Sequence, residues 1–247
     1  MKWHLYTGPL VLVILWVLVS QFGLVDAFFL PNPLVTTAAL GTLVVTGSIL
    51  PDLLATLARV GLAFLIAVSV GLPLGLLLGR SEKVYRHFEF IIDFFRSMPA
   101  TALFPLFLLL FGVTDSSKIA VAAFASMLII IFNSAHGVMH TSKTRIRAAK
   151  IMGATNAQIF RWIVFWESLP QTLVGLRSAV SLSLVIILVT EMFIGATSGL
   201  GRQIIDAQIT YEIKTMYAVI LLAGVVGYLC NLVFVHVEKN IVHWGGK

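Results

Sequence analysis

Residues 53–79 read LLATLARVGLAFLIAVSVGLPLGLLLG, a run of twenty-seven with one charge, Arg59. A helix crossing a bilayer needs about 20 mostly apolar residues, so this run is long enough to span, with length left for tilt. Gly71, Gly75 and Gly79 recur every four residues on one helical face, where a second helix can approach closely. Pro73 removes one backbone donor from that segment and favours a kink.

Five more runs carry the same signature. They cover residues 9–25, about 91–111, about 119–139, about 174–194, and 216–237. The runs are continuous rather than alternating, which excludes a membrane β-barrel. The whole chain of 247 residues is 59% apolar and 11% charged. An average soluble domain has roughly 25% charged residues. The expected fold is all-α: a polytopic membrane protein of six transmembrane helices, forming a single domain over residues 1–247. Lys2, the first apolar run and Val25-Asp26-Ala27 loosely resemble a cleavable signal peptide. The run exceeds a usual signal core and no Ser/Gly-rich segment follows, so it reads as a retained first span.

The net charge of +6 reflects topology rather than nucleic-acid binding. Six spans place Lys2, Arg80, Lys83, Arg86, Arg96, Lys143, Arg145, Arg147, Lys150, Arg161, Lys239 and Lys247 on one side. Only Lys118, Arg202 and Lys214 fall on the other. Basic residues concentrate in short cytoplasmic loops. Both termini are therefore expected in the cytoplasm.

The longest cytoplasmic connection, residues 141–177, reads TSKTRIRAAKIMGATNAQIFRWIVFWESLPQTLVGLR. Good helix formers cover residues 145–152. Gly153 suits a helix end with positive φ. Thr155 or Asn156 can cap a second helix over 157–165, which is expected to stop at Leu169-Pro170. Such a helix–turn–helix can simply lie on the membrane surface. Ala148 and Ala149 before Gly153 favour a thin docking surface for another protein.

At these residues the chain resembles the binding-protein-dependent ABC permeases, whose coupling loop has Glu-Ala-Ala, three residues, then Gly. Here the stretch is Arg147-Ala148-Ala149-Lys150-Ile151-Met152-Gly153. The likeness is nearest to the nitrate, sulfonate, taurine and bicarbonate group. It extends over most of the chain, through Phe29-Leu30-Pro31-Asn32-Pro33, Arg96-Ser97-Met98-Pro99, Ser116-Ser117-Lys118, Asn133, Leu169-Pro170, Glu191-Met192 and Ser198-Gly199-Leu200-Gly201. The resemblance implies a type I importer permease fold in a bacterial inner membrane, with residues 141–170 as the coupling segment. It implies a second permease copy, with a homodimer favoured over a heterodimer. Two cytoplasmic ATPase subunits that bind ATP-Mg and an extracytoplasmic substrate-binding protein complete the assembly. The solute would be small and anionic. Arg147, Ala148, Ala149 and Gly153 would meet the ATPase. Arg147 stands where the family usually has Glu, and a reversed charge calls for an acidic or neutral partner surface. Phe165-Trp166 replaces the common Leu-Pro.

Arg59 and Glu191 are ionisable residues within spans, at similar expected depth, and such residues are often functional. They are candidates for an ion pair and for the translocation path or gate. Arg177 is expected to snorkel to the interface. His136 and His140 have metal-ligand spacing but no third partner in sequence, and read as interfacial histidines. Mixed charges at Arg202, Asp206, Glu212 and Lys214 mark a solvated external loop over residues 195–215 that could meet the binding protein. Cys230 reads as a packing residue. No Gly-x-x-x-x-Gly-Lys-Ser/Thr phosphate loop is present, so the chain itself is not expected to hydrolyse ATP, to hold a cofactor or to be an enzyme. A membrane di-iron oxygenase would need more His pairs. An ion-gradient-driven secondary transporter, with Glu191 as its ion site, is the main rival.

Overall fold

The computed structural model describes residues 4–193 and 196–242. Lys2, Lys247, Ile194 and Gly195 lie outside them, so the charge bias is traced without its two end lysines. The fifth expected span is traced to Phe193, and the loop expected to be external is traced from Ala196.

Among the described residues eleven α-helices follow in chain order: α1 His4–Gln21, α2 Pro33–Val45, α3 Leu50–Gly79, α4 Glu82–Ser97, α5 Phe104–Phe111, α6 Asp115–Met139, α7 Lys143–Ile151, α8 Asn156–Ile159, α9 Phe165–Phe193, α10 Leu200–Ile209 and α11 Ile213–Ile241. Among the described residues no strand occurs. Among the described residues four helices are long and apolar enough to cross a membrane, α3, α6, the continuous run Asn156–Phe193 and α11, and the bent pair Glu82–Ser97 and Ala100–Phe111 makes a fifth if it is one span.

Helix α6 forms the axis. Nearly all its apolar faces are covered by α3 on one side and α9 on the other, with Val121, Ala122 and Ile187 fully enclosed between them. The Gly71/Gly75/Gly79 face explains the closeness of α3 to α6. A Cβ on Gly75 would lie 2.8 Å from the Ile131 carbonyl oxygen, and one on Gly79 2.6 Å from that of Ala135. Backbones touch there, and only glycine fits. The opposite seam works alike: a Cβ on Gly175 of α9 would lie 2.5 Å from Asn133 Cβ.

Several expected boundaries are corrected. The first helix ends at Gln21, four residues early, because Gly23 turns the chain at φ +64°. Helix α2 has no counterpart in the span reading. Asn32 caps it through its side chain, accepting from the Leu34 amide at 2.9 Å, and Pro33 occupies its first turn. That is favourable start chemistry hidden in an apolar stretch. The third span is a broken pair. Helix α4 ends at Ser97, extended Met98 and Pro99 follow, and the chain turns by 91° into the segment Ala100–Phe111. Extended geometry before a proline is the local preference.

Proline fails to act as a break in three other places, Pro9 inside α1 among them. Helix α3 runs through Pro73, and α9 runs through Pro170, so the second half of the connection does not stop at Leu169-Pro170. A proline inside a packed membrane helix costs one backbone bond, and neighbouring helices hold the rest. The run from Asn156 to Phe193 is a single helix of 38 residues, with one wider turn at Phe160–Val164.

Candidate functional site

The two ends of the bundle carry different polar constructions. At one end the chain folds back from α9 into α10 through Ala196-Thr197-Ser198-Gly199, and a knot of buried polar side chains ties this turn to α3 and α6. Asp52, Thr56 and Arg59 project from one face of α3, at i, i+4 and i+7. Glu191 lies opposite on α9, 1% exposed, and Arg59 is 5% exposed. The guanidinium donates to Glu191 Oε1 at 2.6 Å and to the Ser198 carbonyl at 2.8 Å. The Glu191 carboxylate also accepts from Thr56 Oγ1 at 2.9 Å and from the Gly201 amide at 3.0 Å. Asp52 accepts from the Gly199 amide at 2.7 Å and from Gln203 at 2.7 Å. Arg202 donates to the Ala196 carbonyl and bridges to Asp206.

Arg59 reaches further. Its Nε lies 2.9 Å from Asp115 at the start of α6, and Lys118, 3% exposed, pairs with the same carboxylate at 3.0 Å. The pairing of Arg59 with Glu191 follows from their equal depth in sequence. Asp115, Lys118, Asp52 and Thr56 are members that depth reasoning missed. The polar spacing 52, 56, 59 along an otherwise apolar run was the available signal.

Glycine is required in the turn. Gly199 has φ +135°, and a Cβ there would strike the Glu191 carboxylate. The Ser198-Gly199-Leu200-Gly201 motif is therefore a close-fitting lid on a buried anion, and its Gly199, Leu200 and Gly201 amides all donate to α3 or α9 side chains.

The opposite, basic end holds residues 141–170. Ser142 caps α7, accepting from the Arg145 amide at 3.4 Å. Glu167 holds the same turn, accepting from the Ser142 amide at 2.9 Å and from Arg145 Nη1 at 2.6 Å. Helix α7 spans Lys143–Ile151, shifted slightly from the expected 145–152. Gly153 closes it at φ +83°, with its amide bonded to the Lys150 carbonyl and the Ala154 amide to that of Ala149. Paired bonds of this kind with a left-handed glycine form a Schellman stop. Thr155 then caps α8 in a reciprocal box with Gln158.

The hairpin has an inner and an outer side. Ala149, Ile146 and Ile159 pack against Val138 and Val164. Arg147, Ala148 and Gly153 face outward. The tip carries two large apolar side chains absent from the sequence-based site: Ile151 at 87% exposure and Met152 at 86%. Nothing lies within 4 Å of where a Gly153 side chain would begin. Elsewhere at this end, His136 and His140 stack 5.8 Å apart, and no group of three metal-ligating side chains occurs among the described residues.

Residues 71–243 match the family model for the binding-protein-dependent transport system inner membrane component. The chain belongs to this family. The permease is 30% identical to a probable ABC transporter permease protein of Brucella melitensis over 93% of this chain and 92% of that one. It is 28% identical to the taurine transport system permease protein of Escherichia coli, over 96% and 88% respectively. A nitrate import permease protein of Synechocystis is 28% identical over 77% and 69%. Its fold matches that of a chain of the MetNI methionine ABC transporter in an inward-facing conformation, with TM-score 0.67 and 21% identity, covering 78% of this chain and 96% of that one. The chain is thus the membrane-embedded permease subunit of an ABC importer, with the type I fold. Permeases of this family typically leave ATP hydrolysis to separate ATPase subunits and work with a substrate-binding protein.

Proposed function

We propose that this permease is non-catalytic, pairs with a second copy of itself, and carries a small anionic solute inward while two cytoplasmic ATPase subunits bind and hydrolyse ATP-Mg. In this reading residues 141–170 are the coupling segment, and both termini and that segment face the cytoplasm of a bacterial inner membrane. Arg147, Ala148 and Gly153 face the ATPase, and Ala149 supports them from behind. Ile151 and Met152 extend the contact, since large exposed apolar side chains beside a glycine turn fill a groove well. Arg59 and Glu191 fasten the turn that frames the external gate. The anionic class rests on relatives named for taurine and nitrate.

One observation carries the proposal. The hairpin is continuous with α9 through a single helix of 38 residues, about 57 Å at 1.5 Å per residue. That helix ends at Glu191 and its knot. A push on the hairpin therefore reaches the far side without crossing a loop.

Copurification tests the reading. The tagged permease is expected to bring an ATPase of the same operon in equal amount, and uptake in proteoliposomes is expected to require ATP. Uptake that follows an ion gradient without ATP would instead support a secondary transporter. Single cysteines at Ser142 and Thr197, in a Cys230→Ser background, test the orientation. Only Thr197→Cys is expected to react with an impermeant reagent added outside.

A further inference from the structure

Helix α2 has thirteen residues and is about 20 Å long, too short for a hydrocarbon layer about 30 Å thick. Both its ends lie at the knot end of the bundle. In the loop before it, the Phe29 carbonyl accepts from the Tyr217 hydroxyl at 3.0 Å, and the Pro31 carbonyl accepts from the Trp16 indole N–H at 3.1 Å. After it, Ile49 packs in one cluster with Leu200, Ile204 and Val219, and α3 starts at Leu50, two residues before Asp52 of the knot. The Trp16 and Tyr217 rings lie 6.2 Å apart. Trp and Tyr, apolar in body and polar at the tip, collect at the membrane–water boundary. The helix therefore enters and leaves at one boundary and does not cross the bilayer.

Its inner face is packed. Pro33 and Thr36 are buried, and Leu40 and Leu43 half-buried, at i, i+3, i+7 and i+10. Its outer face exposes Leu34 at 75%, Val45 at 88% and, between them, Ala38 and Thr42. No charged residue occurs from Ala27 to Pro51. A short helix with one face in water normally carries charges on that face. Helix α10, at the same end of the bundle, does so. It buries Leu200, Ile204 and Ala207, and leaves Arg202, Asp206 and Gln208 partly or fully exposed. The hydroxyls of α2 are a second, independent sign. Thr37 donates to the Leu34 carbonyl at 3.0 Å, Thr42 to that of Ala38 at 3.1 Å, and Thr46 to that of Thr42 at 2.8 Å. Each exposed threonine hydroxyl is thus satisfied by the helix's own backbone, as surroundings without water demand.

We propose that α2 is an interfacial helix that lies in the bilayer leaflet at the knot end, with Leu34, Ala38, Thr42 and Val45 against acyl chains. The occupant of this face is lipid, because the lipid-facing surface of α1 continues onto it through exposed Leu18, Phe22 and Phe29. Helices of this kind hold an apolar face a few ångströms below the headgroups. The helix joins α3 through a turn at Gly47, with φ +71°, so the leaflet is gripped a few residues from Asp52 and Thr56. The inference needs only that the chain is embedded in a membrane, and it holds whichever side the hairpin faces.

Spin labelling tests it. Leu34→Cys, Ala38→Cys and Val45→Cys, each in the Cys230→Ser permease, are labelled with a nitroxide in the purified complex and returned to liposomes without any substrate-binding protein. Gln208→Cys on α10 is the aqueous control. Collision with molecular oxygen, which concentrates among acyl chains, is compared with collision with a nickel chelate, which stays in water. The ratio of oxygen to nickel collisions is expected to be several-fold higher at all three α2 positions than at Gln208→Cys. A ratio equal to that of Gln208→Cys would put the face in water and overturn the proposal. Weak collision with both probes would show the face covered by protein, a second copy or another subunit, and would overturn it equally.

Discussion

The two ends of this bundle handle polar groups in opposite ways. At the knot end, Arg59, Lys118 and Glu191 are buried, and both oxygens of the Glu191 carboxylate have a donor. The Ser198–Gly201 turn is bonded to two helices. At the basic end, the hairpin touches the bundle through a small apolar inner side, and its charged and apolar tip is open. A buried, saturated network makes a turn rigid, because any movement leaves a charge unpaired in a medium that solvates it poorly. A hairpin held by capping bonds and a few side chains can shift as a unit, since its own hydrogen bonds are internal. The contrast suits a lever anchored at its far end.

The strongest way to break the contrast is to unpair the knot. Glu191→Gln leaves Arg59 facing a neutral amide, and Arg59→Met leaves Glu191 without its cation. Each is expected to destabilise the permease by about 3–5 kcal/mol, the cost of breaking a buried pair from one side. The double variant should cost less than the sum. Thermal unfolding of the purified complex measures all three, and strict additivity would show that the pair is not energetically coupled. Arg59 retains Asp115 when Glu191 is neutralised, so Glu191→Gln should be the milder single change.

Glycine packing comes next. Gly75→Leu puts a side chain against the Ile131 carbonyl and Ser134 Cβ, neither of which can rotate away. Overpacking of this kind costs about 1–3 kcal/mol and should separate α3 from α6. Reduced thermal stability and expression are the readouts. An unchanged protein would mean that the two helices are further apart than the glycine face requires.

Gly153→Val sharpens the contrast. The site is open, so the only local cost is the positive φ, about 1–2 kcal/mol. Insertion and dimer formation should survive, while substrate-stimulated ATPase activity and uptake fall together. Normal uptake at normal expression would remove the hairpin from the coupling path. Arg147→Glu should have the smallest effect, within about 1 kcal/mol as for other exposed ion pairs. It should weaken ATPase binding at low salt and matter little at high salt. Salt-independent behaviour would indicate that Arg147 points away from the partner.

Much of this was legible in the sequence because membrane helices announce themselves by composition. Gly153 was readable as a stop and Thr155 or Asn156 as a cap, since such groups act through bonds only a few residues long, and the structure chose Thr155. Arg59 and Glu191 were readable as partners from depth alone. Their further partners were not, because Asp115 and Ser198 meet Arg59 from 56 and 139 residues away along the chain. The break near Pro99 and the continuity through Pro170 were indistinguishable in sequence. Each follows one apolar residue amid polar ones, in RSMPAT and ESLPQT, and only packing decides whether a missing amide bond ends a helix.

The sequence by itself determined the lipid environment, the all-α class, the basic side and the hairpin with its glycine stop. These depend on local backbone preference and on the cost of exposing polar groups to hydrocarbon, which composition and spacing express directly. Only the tertiary structure decided that the hairpin and the fifth span are one helix, that α4 and α5 bend by 91°, and that a turn of α10 seals a buried carboxylate. Those outcomes follow from which faces meet, a choice made by interlocking side chains far apart in sequence and invisible to any local pattern.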